Sequence, residues 1–214
     1  MARIFIDAGH GGNVEFGAVR GLIKEKDINL DVALLVQEKL HQLNFDVMMT
    51  RKTDTAVSLA DRVDKANNWK ADIFVSIHHN AHNGYAEGYE IYNYTNSQKG
   101  NRLGRLIGKY FDKHQVKRYI GGGMWAGAKP TSNYYVLKHT NMPAVLTEFC
   151  FIDNPKDFKK YDAEKEATCI VKGICDYFNI KYSIGNENAE LFHKIKKQVT
   201  KIENEFIKLK NLIK

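Results

Sequence analysis

Short continuous apolar runs alternate along this chain with stretches whose apolar residues recur at helical spacing, and the alternation predicts the layout. Arg3-Ile4-Phe5-Ile6-Asp7 is a brief run of β-formers that stops at Gly9-His10-Gly11-Gly12, which predicts a buried strand running into a tight loop. From Asp27, a candidate N-cap, residues Ile28, Val32, Leu35, Val36, Leu40 and Leu43 fall on one helical face. Phe45 to Thr50 reads as a second strand, and Ser58-Leu59-Ala60-Asp61 as a capping box opening a helix with Leu59, Val63 and Ala66 on one side. Asp72 to His78 is almost wholly apolar, as a parallel strand buried on both faces should be. Gly88 to Tyr92 predicts a shorter strand. Helical spacing returns between about Ser97 and His114, with Leu103, Leu106, Ile107, Tyr110 and Phe111 inward. Beyond a glycine-rich loop at Gly121-Gly122-Gly123, Tyr134 to Leu137 and Ala144 to Glu148 read as strands, and a last helix spans Ala163 to Tyr177.

Strands alternating with helices predict an α/β fold: an open, mostly parallel twisted sheet with helices on both faces. Such sheets bind ligands at the carboxyl ends of their strands. The expected division is a catalytic domain over residues 1–180, a linker over 181–188 and a helix over 189–214. In that tail Phe192, Val199, Phe206 and Ile213 take one heptad position and Ile195, Ile202 and Leu209 the other, the pattern of a short coiled-coil-like helix. So narrow a stripe favours self-association over docking. Light scattering of the full chain is expected to show more than a monomer, and deletion after Gly185 to abolish it; a monomer in both forms would overturn that reading.

Composition narrows the classes. Hydrophobic residues at 43% and charged residues at 27% are ordinary for a globular protein, and no apolar stretch approaches the roughly eighteen residues of a membrane span. The first residues meet Asp7 without the apolar run of a secretory signal, and the scattered Cys150, Cys169 and Cys175 form no paired motif. Both features fit a protein made and held in the cytoplasm, with the thiols as buried bystanders. A net charge of +7 fits an anionic partner, either nucleic acid or an anionic wall polymer, or a diffuse lysine excess that serves only solubility, and charge alone does not separate these. A nuclease should show acidic clusters for magnesium, and the sequence has none.

Candidate chemistry gathers at three predicted strand ends. His10 stands in Asp7-Ala8-Gly9-His10-Gly11-Gly12; a dinucleotide fingerprint there would need glycine at position 14, which is Val14. His78 ends the strongest strand, and its neighbour His79 must face the other side of the sheet. Imidazole is the commonest zinc ligand, and catalytic zinc takes three protein ligands with one position open. Glu25, between Lys24 and Lys26, is either a solvated charge or the carboxylate that completes such a set. Glu148 ends an apolar run and is followed by Phe149, Cys150, Phe151 and Ile152; a carboxylate there needs a partner or a task. The Gly121–Gly123 loop with Trp125 is either a groove wall or a connector.

Residues 2 to about 178 resemble the zinc-dependent N-acetylmuramoyl-L-alanine amidases of autolysins, sporulation lysins and phage endolysins. The resemblance rests on Asp7 to Gly12 with Gly17-Ala18, Glu25 to Leu30, Thr50-Arg51, Ser58-Leu59 with Arg62, Ala71 to Ala81, and Pro143 to Glu148. It implies that His10, Glu25 and His78 bind one zinc ion, that Glu148 is the catalytic carboxylate and that Asn80 lies in the substrate site. It also implies a peptidoglycan hydrolase cutting between the lactyl group of N-acetylmuramic acid and L-alanine of the stem peptide, an endolysin or lysin of a Gram-positive bacterium. Peptidoglycan and anionic wall polymers are then the partners, with no nucleic acid and no membrane. The competing readings are a zinc peptidase cutting within the stem peptide and a wall-binding module without activity. Ala8, Glu15 and Cys150 depart from the family, which usually has proline, aspartate and glycine there.

Overall fold

In the computed structural model, residues 1–113 and 129–184 are described. The expected tail helix, the linker past 184, His114, and the Gly121–Gly123 loop with Trp125 lie outside them. The strands are β1 (Arg3–Ala8), β2 (Val19–Arg20), β3 (Ile23–Lys24), β4 (Asp46–Met49), β5 (Ile73–Asn80), β6 (Glu90–Tyr94), β7 (Lys129–Thr131) and β8 (Ala144–Phe151). The helices are α1 (Glu25–Gln42), α2 (Leu59–Asn68), α3 (Gln98–Lys113), α4 (Tyr135–His139), α5 (Pro155–Phe158) and α6 (Ala163–Tyr177). One compact unit covers Met1–Tyr182; of the second, Ser183–Lys214, only the first two residues are described, and neither is in a helix or strand. Among the described residues no helix is long and apolar enough to cross a membrane.

Six strands form one sheet in the order β4-β1-β5-β8-β6-β7. The first four are mutually parallel, β6 runs antiparallel to β8, and β7 parallels β6. The period-2 alternation of strands sorts side chains to the two faces. Ile4, Ile6, Val75 and Ile77 pack under α1, α3 and α6 with Val32, Val36, Leu103, Ile107, Ile170 and Ile174. Phe5 and Phe74 face the other layer, against Val63 and Ala66 of α2 and Val136 and Leu137 of α4. Each fully buried aliphatic side chain stabilises this core by about 1.5–3 kcal/mol. Helices on both faces of a mostly parallel sheet are the expected architecture.

Three local expectations are corrected. Tyr134 to Leu137 is not a strand: Tyr135–His139 forms α4, and the edge strand is Lys129–Thr131. A short apolar run fits either state, and here the consecutive Val136 and Leu137 are both buried against one layer, as a helix face allows and a strand does not. Helix α1 starts at Glu25 rather than at an Asp27 cap, and its N-cap Lys24 makes no side-chain bond. The reason is that loop carbonyls do the capping: Glu25 N–H donates to Ala18 O at 2.9 Å and Lys26 N–H to Phe16 O at 3.1 Å. Leu59, expected inward, is 53% exposed. Ser58 does cap α2, accepting from Asp61 N–H at 3.1 Å.

Candidate metal centre and candidate catalytic carboxylate

Strand β1 delivers the loop that carries His10, whose φ of 58° lies in the left-handed region. A non-glycine residue stays there only where its surroundings fix it. Two buried arginines do so by seizing carbonyls. Arg51 donates to Ala8 O at 3.0 Å, Gly9 O at 2.9 Å and Lys26 O at 2.7 Å. Arg62 donates to Ala8 O at 2.8 Å and His10 O at 2.9 Å, and pairs with Asp7 at 2.6 Å. Burial alone would raise the Asp7 carboxyl, but Arg62 and the Ser76 hydroxyl hold it below its ordinary value. Losing either member of the pair would strand a buried charge, at a cost of about 3–5 kcal/mol.

Glu25 is the first residue of α1, where the positive end of the helix favours a carboxylate. Its Oε2 accepts from Ala18 N–H at 2.8 Å and lies 3.3 Å from His10 Nε2. Its Oε1 lies 2.8 Å from His78 Nδ1. Burial raises the Glu25 carboxyl, yet the hydrogen bonds from His10 and His78 outweigh burial and hold it well below the usual carboxylate range. Ligand atoms of His10, Glu25 and His78 all lie within 4.8 Å of one another. Two glycines make the room: a Cβ on Gly9 would sit 2.2 Å from the His78 ring, and one on Gly17 2.3 Å from Glu25 Oε2. Two imidazoles and one carboxylate whose ligand atoms lie this close together suit a divalent cation.

Glu148 approaches from β8. Its Cα is in register with His78 on one side and Glu90 on the other. Glu148 is only 9% exposed, and its Oε2 is buried with no hydrogen-bond partner. Burial, reinforced by the charges of Glu25 and Glu90, pushes this carboxyl well above its ordinary value. Metal-ligand candidates and Glu148 open on one cleft of about 600 Å³, walled also by Leu59, Asn80 and Tyr134. Residues 4–178 match the family model described as N-acetylmuramoyl-L-alanine amidase.

The chain belongs to this amidase family. The N-acetylmuramoyl-L-alanine amidase CwlM of Bacillus licheniformis is 34% identical over 194 residues, 90% of this chain and 73% of that protein. The endolysin of Bacillus phage SPP1 is 36% identical over 189 residues, 85% of this chain and 68% of that one. The solved catalytic domain of CwlV, an N-acetylmuramoyl-L-alanine amidase from Bacillus (Paenibacillus) polymyxa var. colistinus, superposes with a TM-score of 0.75 at 33% identity. That superposition covers 85% of this chain and 100% of the other.

The fold of this amidase family member thus brings His10, Glu25, His78 and Glu148 together, with Asn80 beside them donating to Glu90 Oε2 at 2.9 Å. Cys150, where the family usually has glycine, does not line that cleft; it borders a separate cavity of about 20 Å³ with Phe111, Phe149 and Glu166. Sequence reasoning missed Glu90, although an acid inside the apolar run of Gly88 to Tyr92 marks it as Glu148 was marked. It also gave no task to Arg51, Arg62 or Asn29, whose partners are distant in sequence. His79, left unassigned, is buried on the opposite face between Asn29 at 2.8 Å and Glu166 at 3.0 Å.

Proposed function

We propose that this chain is a peptidoglycan amidase that holds one zinc ion on His10, Glu25 and His78 and uses Glu148 to move protons at the bond between the N-acetylmuramoyl lactyl group and L-alanine. The observation that carries the reading is the unpartnered, buried Glu148 oxygen standing one strand from the ligand His78. When bound, zinc supplies a Lewis acid and lowers the pKa of a coordinated water towards about 7. Glu148 takes the proton of the attacking water and returns it to the departing L-alanine nitrogen. Burial, reinforced by the neighbouring Glu25 and Glu90 carboxylates, raises the proton affinity of Glu148 above that of an ordinary carboxylate, the direction that suits a group that both takes and returns a proton. Tyr134 lines the same cleft; its phenol, pushed up to about 12 by burial and by Glu148 and Glu90, keeps its proton and remains a donor. Asn80, which lines the cleft, is the residue assigned to contact the substrate.

The endolysin relative supports a lytic role, and a heptad tail that joined copies would add avidity for a repetitive wall polymer. Digestion of purified Gram-positive peptidoglycan, with and without a zinc chelator, tests the reading. New L-alanine amino termini that vanish with chelator are expected. Termini from another stem residue would make the enzyme a peptidase, and no release at all would leave a binding module.

A further inference from the structure

We propose that Glu166, His79 and Asn29 form a hydrogen-bonded chain that fixes the orientation of Glu25, making them positioning residues for the metal centre. The inference rests on Glu25 being a metal ligand and adds what holds that ligand in place.

The chain begins at Glu25 Oε1, which accepts from Asn29 Nδ2 at 3.2 Å and from the His79 backbone N–H at 3.2 Å. Asn29 is one helical turn beyond Glu25, so the two side chains share a face of α1. Its Nδ2 also donates to Gly9 O at 3.3 Å. Glu25 Oε1 and Gly9 O carry no hydrogen, so the amide NH₂ must face them and Oδ1 must face His79 Nδ1, 2.8 Å away. An amide oxygen only accepts, so the proton of that contact sits on Nδ1. The far nitrogen, Nε2, lies 3.0 Å from Glu166 Oε2 on α6. Whichever of those two atoms holds the shared proton, the ring is bound at both ends and cannot turn.

Burial raises the stakes. Asn29 and the His79 side chain are 0% exposed, and Phe149 and Tyr161 meet the imidazole edge-on at 5.8 and 5.4 Å. Polar groups cost free energy in such a place unless each finds its partner, and here each does. Apolar side chains of similar volume would fill the space between α1, β5 and α6 equally well. What they could not do is present a donor to Glu25. With Ala18 N–H on Oε2 and Asn29 on Oε1, both oxygens of Glu25 are aimed by donors of the protein itself. Partners of this kind around a metal ligand are worth about 10–100-fold in metal affinity.

The experiment measures zinc affinity by chelator competition, with kcat, KM and melting temperature, on the full chain. Asn29→Ala, at a helix position that suits alanine, is expected to weaken zinc binding about 10–100-fold. Glu166→Leu is expected to weaken it about tenfold, whereas Glu166→Gln, whose amide can still bond Nε2, stays near wild type. The double variant Asn29→Ala with Glu166→Leu should bind no worse than Asn29→Ala alone, because the chain is already cut. Unchanged affinity in Asn29→Ala, or losses that multiply in the double variant, would overturn the proposal. Should Glu166→Leu fail to fold, Asn29→Ala decides alone. Two zinc ions per wild-type chain, falling to one in Cys150→Ser, would instead make His79, Cys150 and Glu166 a second metal site and overturn it as well. A wild type that takes up no zinc removes the metal reading itself, a result distinct from zinc bound equally by wild type and Asn29→Ala.

Discussion

Glu148→Gln is expected to lower kcat on peptidoglycan by roughly 10³-fold, within the range that general acid–base groups supply, while zinc content stays at one per chain. The amide keeps the size of the carboxyl and cannot carry the proton. Metal should persist because Arg51 and Arg62 hold the carbonyls of the His10 loop and Ala18 N–H holds Glu25, and none of these bonds is made to Glu148. The same substitution should raise the melting temperature of the metal-free protein at neutral pH. Glu148 is a buried carboxyl with an unpartnered oxygen, and its raised pKa records the cost of ionising it beside Glu25 and Glu90. A carboxyl that binds its proton more tightly when folded loses stability as pH climbs above the unfolded value, and glutamine removes that loss. Function purchased at the expense of stability is common at active sites. Loss of zinc in this variant, or activity within tenfold of wild type, would refute the assignment.

Glu25→Gln should produce the opposite division. Its zinc affinity is expected to fall by more than about 10²-fold, beyond what outer partners of a ligand are worth, and activity should fall with it and recover partly in excess zinc. The change removes the one negative charge of the ligand set and leaves an amide facing two imidazoles at 2.8 and 3.3 Å. Chelator competition and metal analysis of the purified variant give the answer. A dead Glu25→Gln that retained full zinc would exchange the roles assigned to the two glutamates.

How far the sequence foretold this site depends on the range of the interactions involved. Strand β5 and helix α6 were legible because continuous apolarity and helical periodicity are local properties, and α6 begins and ends where the spacing places it. His10 and His78 stood out because the apolar runs lead up to them, although β1 ends at Ala8 and β5 runs on past the expected end at His78 to Asn80. Glu25 stayed open from its neighbours alone, because a place between two lysines also suits a solvated charge. The fold removes that alternative by burying Lys26 itself, which pairs with Asp54, donates to Gly12 O at 2.9 Å and lies 5.0 Å from the Phe16 ring centre. Periodicity could not choose between strand and helix for Tyr134 to Leu137, since the deciding contact is with α2, far back in the chain. Nor could it connect His79 to Glu166, 87 residues on, or Arg62 to Asp7, 55 residues back. The residues that do chemistry were visible one by one, whereas those that aim them appear only when distant segments meet.

Strand β8 lies between β5 and β6 in the sheet although it follows both in the chain. Synthesis proceeds from the N-terminus, so β5 and β6 exist as two open edges before the strand that joins them has been made. The same strand brings Glu148, so the carboxyl proposed to carry the proton arrives only when β8 joins the sheet. No partly folded form with β8 undocked can place that carboxylate beside the metal ligands. The position of Glu148 on one central strand therefore ties wall-cutting activity to a sheet in which β8 has been seated.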